Sequence, residues 1–186
     1  MFHAEQTNQI TNMKTVNQTM NVNAGVQYLS QVLNALPDNC IFDKGRVGAG
    51  GTHIALTEEC NTVIAVPFVS LIENKVAQFN GQVFGMYGGV TYKELKAYLA
   101  DDSIKYKKIM VTYDSLDKIL PSIEAPEWKI MIDEYHLLFT QYSFRRDAVQ
   151  TVLDNYKQFK SFCFLTATVL EDDFILEELK DVQVVR

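Results

Sequence analysis

Short apolar runs alternate with stretches of helical spacing along most of this chain, and that alternation limits the folds open to it. CIFDK (residues 40–44), TVIAVP (62–67), QVFGM (82–86), KKIMVTY (107–113), WKIMI (128–132), SFCFLT (161–166) and VQVV (182–185) each read as a strand. Their apolar residues run on without the polar alternation of a half-solvated sheet. Strands of that kind are covered on both faces and belong to parallel sheets. The segments between them supply the helices: 52–59, 68–79, 91–102, a short one in SLDKIL, 144–159 and 172–180. The expected class is α/β, a mostly parallel sheet with helices on both faces. In such sheets ligands bind outside the carboxyl ends of the strands.

Residues 1–23, rich in Asn, Gln and Thr, read as a flexible arm; one domain is expected over 24–186, with no internal repeat or linker. AGVQYLSQVLNAL places Val26, Leu29, Val32, Leu33 and Leu36 at helical spacing, and Pro37 ends the run, so a helix is expected there. With 186 residues, 47% of them hydrophobic, one domain with a real core is within reach. The net charge of -6 excludes a generally basic nucleic-acid coat, though not a local basic groove. No apolar run is long enough for a membrane span and no secretory signal is read at the start. Cys40, Cys60 and Cys163 lie far apart in apolar surroundings, as reduced thiols do. A cytoplasmic location is therefore expected.

Three strand ends carry residues with chemistry. The first is FDKGRVGAGGTHIAL, where Gly45, Gly48, Gly50, Gly51 and Thr52 follow the spacing of a phosphate-binding loop. Glycines there let backbone N–H groups converge on phosphate oxygens, and the Thr52 hydroxyl suits Mg²⁺. Gly51 stands where the loop lysine belongs; Lys44 and Arg46 are the nearby cations that can offset its absence. Read alone, the stretch is as well described as a glycine-rich turn. The second is Asp133–Glu134 after KIMI: an aspartate for the Mg²⁺ water shell and a glutamate to orient water, or a pair that caps the next helix. The third is Thr166-Ala-Thr168, hydroxyls that can bond the acidic loop or cap a helix. Lys105, Lys107 and Lys108 read as a solvated strand entry, Trp128 as a seal on the sheet edge, and His53 as packing at a helix start.

The order GxGGT, VIAVPFVSLIENK, VTYDSL, DEYH and TAT resembles the first motor domain of DExH/DEAD-type helicases of superfamily two, over roughly residues 37–186. The wording is also similar to helicase-like proteins of phages and bacterial mobile elements. The resemblance implies a RecA-like P-loop NTPase fold with ATP and Mg²⁺ as ligands. It assigns nucleotide binding to Lys44, Gly45, Arg46, Gly48, Gly50, Gly51 and Thr52, and the metal to Thr52 and Asp133. It gives catalysis to Asp133, Glu134 and His136, coupling to Thr166 and Thr168, and contact with DNA or RNA to Pro67, Thr112 and Ser115. It also implies a second RecA-like domain or another protein that supplies an arginine finger. Two departures set the alternatives. Without the loop lysine, ATP hydrolysis is in question; with a single motor domain, the chain reads as a fragment or a single-domain relative. The competing reading is a hydrolysis-deficient module of the same fold that holds a nucleic acid or a protein.

Overall fold

The computed structural model describes residues 16–140, 145–168 and 175–186. Seven strands form one sheet: β1 (Cys40–Asp43), β2 (Thr62–Val66), β3 (Val83–Met86), β4 (Lys108–Thr112), β5 (Lys129–Ile132), β6 (Ser161–Thr166) and β7 (Gln183–Val185). Their order is β3-β4-β2-β5-β6-β1-β7, and every pairing is parallel. The helices are α1 (Gly51–Thr57), α2 (Val69–Gln78), α3 (Tyr92–Leu99), α4 (Leu116–Ile119), α5 (His136–Thr140) and α6 (Arg146–Asn155).

The period-two pleat sorts each apolar strand between two cores. Ile41, Val63, Ala65, Ile109, Val111, Ile130, Ile132 and Phe164 face one side with residues of α3 to α6. Cys40, Phe42, Ile64, Met110, Met131, Cys163 and Leu165 face the other, with Ile54 of α1 and Ile72 of α2. Right-handed crossovers account for the sorting. From β1 the chain moves one way along the sheet to β2 and β3, and α1 and α2 cover one face. It then returns through β4, β5 and β6, and the later helices cover the other. Local signals agree with the packing. In α3, Thr91 caps the helix and Glu94 reaches back to the Thr91 N–H, 2.8 Å away. Its Leu95 is wholly buried, worth about 1.5–3 kcal/mol.

Two expectations need correction. The stripe from Val26 to Leu36 is not a helix; only a 3-10 turn forms, Leu29–Gln31. Its backbone is engaged elsewhere: Leu29 N–H bonds to Ala49 O, and the Gln31 side chain accepts from the N–H groups of Gln27 and Tyr28. Leu29, Leu33 and Leu36 still reach the core, so the apolar spacing reported burial rather than helicity. Lys108 is not solvated but buried at the amino end of β4. Of the arm, residues 16–20 lie beside β7, with Asn17 and Gln18 N–H bonding to Val184 O and a parallel bridge between Gln18 and Val185. The rest of the arm, and the first part of the helix expected over 172–180, lie outside the described residues; Glu177–Leu179 is a 3-10 turn.

Candidate functional site

The chain leaves β2 in one direction and the neighbouring β5 in the other, and a cleft opens outside that divergence. It has a volume of about 700 Å³ and is lined by the glycine loop after β1, the start of α1, the ends of β2 and β5, and one side of α2.

Positive φ angles at Gly45, Gly48 and Gly50 (71°, 74° and 88°) curl the loop, a backbone other residues resist. Asp43 secures the turn: one carboxylate oxygen accepts from Gly45 N–H at 2.9 Å and the other from Arg186 Nε at 2.8 Å. Gly48, Gly50, Gly51 and Thr52 line the cleft; Gly45 opens instead toward a smaller hollow near Arg186. Arg46 turns away to bond the carbonyls of Val26 and Gln27. Lys44 points inward. Its Nζ lies 3.1 Å from Glu134 Oε1 and 3.8 Å from Asp133 Oδ1, with the side chain 6% exposed.

Thr52 and Asp133, 81 positions apart in sequence, meet directly: the Thr52 hydroxyl donates to Asp133 Oδ2 at 2.7 Å. The turn after β5 is fixed from several sides. Asp133 N–H bonds to Ala65 O, Tyr135 N–H bonds to Leu165 O, and the Tyr113 hydroxyl donates to Asp133 O. Burial pushes the Asp133 carboxyl above the usual range, while Lys44 and the Thr52 hydroxyl pull the other way. Glu134 adopts a left-handed backbone, φ 51°, unusual for a residue with a Cβ. Such strain costs about 1–3 kcal/mol and gathers at functional sites. Here it accompanies a carboxylate shared between Lys44 and His136, whose Nδ1 is 3.4 Å from Glu134 Oε2. His136 Nδ1 is also 3.3 Å from Thr166 Oγ1, which accepts from Thr168 N–H at 3.0 Å. A continuous polar chain therefore runs from Lys44 through Glu134 and His136 to the end of β6.

Pro67 is on the cleft wall, whereas Thr112 and Ser115 are buried and offer no exposed side chain to a ligand. Between those two, the exposed Asp114 pairs with Arg145, whose other nitrogen bonds to Pro67 O at 2.9 Å. The sequence did not single out Tyr28, Phe68 and Leu71, exposed apolar residues on the cleft wall. Phe68 and Leu71 were visible only as members of the helix-forming stretch VIAVPFVSLIENK, not as residues of the cleft, and Tyr28 gave no signal. Leu165, which packs behind Gly51, was equally silent.

Fold and cleft together define an α/β protein with an all-parallel sheet and a cleft at the carboxyl ends of its strands. No protein-family model matches the chain, and no curated protein matches it. Among solved structures it is similar to the UvsW helicase from bacteriophage T4, at 15% identity and a TM-score of 0.49, over 80% of this chain and 54% of that one. The chain thus spans about half the length of that structure. Among the described residues no helix is long and apolar enough to cross a membrane.

Proposed function

We propose that this chain is an ATP-binding, helicase-like domain that couples nucleotide binding or hydrolysis to contact with DNA or RNA. The observation that supports it is the meeting of Thr52 and Asp133 at 2.7 Å beside Glu134, in a cleft walled by a glycine loop. The donors suit Mg²⁺, which takes hard oxygen ligands and keeps several waters. Thr52 and Asp133 would hold it, one hydroxyl and one carboxylate. When bound, Mg²⁺ supplies charge neutralisation at the phosphates. Glu134, which lines the same cleft, would orient or deprotonate water. His136 and Thr166 then link Glu134 to the end of β6, a route for coupling nucleotide state to a neighbouring RecA-like domain that supplies an arginine finger. Nucleic acid would meet the strand-end loops at Pro67 and, through their main chain, at residues 112–115.

One observation favours a second reading, a module that binds nucleotide, nucleic acid or a protein without hydrolysis. Gly51 stands where the loop lysine belongs, and a side chain there would have to displace the Leu165 methyls. Titration calorimetry with Mg-ATP separates the readings. The expected outcome is saturable binding, weakened at least about tenfold in Thr52→Ala by loss of a metal-facing hydroxyl. Glu134→Gln should keep the binding and reduce any hydrolysis by about 10²-fold or more. Hydrolysis unchanged in Glu134→Gln would remove that residue's role, and absence of binding would sink the nucleotide reading.

A further inference from the structure

Resting on the nucleotide reading, the packing around Gly51 bears on where a phosphate-facing cation comes from. A Cβ at position 51 would lie 2.5 Å from Leu165 Cδ2 and 3.1 Å from Cδ1. Leu165 is wholly buried in β6, paired with Phe42 of β1 and packed in the core beneath α1. It has little freedom to retreat, because native cores are close-packed. A side chain at position 51 therefore requires the Leu165 methyls to move within the core.

Lys44 leaves the end of β1 with its N–H bonded to Thr166 O at 2.8 Å, so its backbone is held by the sheet. Its side chain runs into the same cleft as Gly50, Gly51 and Thr52. Arg46 is committed to the carbonyls of Val26 and Gln27. Lys75, on the α2 wall of the cleft, donates to Gln78 Oε1 at 2.9 Å. Lys44 is thus the cation at the loop itself, and its single charge is shared between two carboxylates, Asp133 and Glu134. A negative ligand accompanied by its own cation can draw on that charge without ordering a new side chain.

We propose that Lys44 delivers to a bound triphosphate the positive charge that position 51 does not carry, and that Leu165 is the residue that keeps position 51 a glycine. The altered loop is then a relocation of the lysine from the helix start to the strand end.

The test compares Mg-ATP with AMP, by calorimetry and by competition, on the wild type, Lys44→Ala and Lys44→Gln. Lys44→Gln keeps the stem and a donor toward Glu134, so it serves if Lys44→Ala does not fold; melting curves report folding of each. The expected result is Mg-ATP affinity weakened about 10- to 100-fold, with AMP unchanged. Adding Gly51→Lys with Leu165→Ala to Lys44→Ala should restore much of the loss, and Gly51→Lys without Leu165→Ala should not. Lys44 variants that bind Mg-ATP like the wild type would overturn the inference and leave the nucleotide site standing. Equal weakening toward ATP and AMP would also overturn it, making Lys44 a structural support. Rescue by Gly51→Lys alone would remove the role of Leu165. A wild type that binds no nucleotide would overturn this inference together with the function it rests on.

Discussion

At the amino end of the sheet, Lys108 and Lys129 are buried beside Glu58; at the carboxyl end, Lys44 is buried beside Asp133 and Glu134. The ingredients are alike and the surroundings are not. Lys108 Nζ donates to Ala55 O, Glu58 O and Thr62 Oγ1, at 2.9, 2.8 and 2.8 Å. Lys129 Nζ reaches Leu36 O at 2.6 Å, Asp38 Oδ1 at 2.9 Å and Glu58 Oε2 at 3.4 Å. Every ammonium there is surrounded by acceptors from the protein. Two of those acceptors, Ala55 O and Glu58 O, belong to the carboxyl end of α1, where a helix leaves carbonyls without internal partners. The same helix begins at the glycine loop. It is clamped at its rear by a closed network and faces an open cleft at its front, where one lysine serves two carboxylates and Glu134 sits in a strained backbone. Saturated charge marks a structural joint; shared, cleft-facing charge marks a place for a ligand.

Removing one lysine from each end gives the largest contrast. Lys108→Met leaves the carbonyls of Ala55 and Glu58 and the Thr62 hydroxyl without their donor in the interior and should cost about 3 kcal/mol, the upper end of the loss when buried acceptors go unsatisfied. For a domain of this size that lowers the melting temperature by about 6–12 °C. Lys44→Met should cost less, about 1 kcal/mol, because Glu134 keeps contact with water and Asp133 can take up a proton. Melting curves of the two variants decide it; equal losses would erase the distinction between joint and site.

The next effect is one of pH. Burial, helped by the charge of Lys129, holds the Lys108 ammonium down at about 8, against 10.5 for an ordinary lysine. At Lys129 the same burial is outweighed by Asp38 and Glu58, and the net shift is upward. Between about pH 8 and 10.5 the unfolded chain therefore holds one more proton at Lys108 than the folded chain. Stability contributed at this position rises with pH across that window, by at most about 1.4 kcal/mol per pH unit. Below about pH 8 the cost of burying the charge is felt in full. Denaturant unfolding at pH 7.5 and 9.5 should show the difference between wild type and Lys108→Met growing with pH, and a constant difference would contradict it. Cys60 and Glu58 face the same ammonium and favour its charged form, so they set the lower edge of the window.

The smallest effect sharpens the carboxyl end. Glu134→Gly removes the penalty of φ 51° but frees the unfolded chain, two terms of about 1 kcal/mol each and opposite sign. Stability should change by less than about 1 kcal/mol in a denaturation midpoint, while hydrolysis, if present, is lost. A cost well above that would make Glu134 a structural residue like Glu58.

Much of this was legible in the chain. Every expected strand formed, with ends within a residue or two, because a strand buried on both faces must be apolar throughout, and that leaves a mark in any sequence. The acidic pair and the threonines fell at strand ends for the same reason. Lys108 read as solvated because a lysine that enters a core looks, in sequence, like one that enters water. The stripe from Val26 to Leu36 misled because helical spacing records which residues are buried, not which backbone bonds they make.

The sequence by itself determined the class of fold and the set of reactive side chains, since both depend on local pattern. The order of the strands, the meeting of Thr52 with Asp133 across 81 residues, the packing of Leu165 behind Gly51 and the inward turn of Lys44 while Arg46 turns away were decided by tertiary structure. Each depends on distances between segments remote in the chain, and close packing fixes those distances only once the whole sheet has formed.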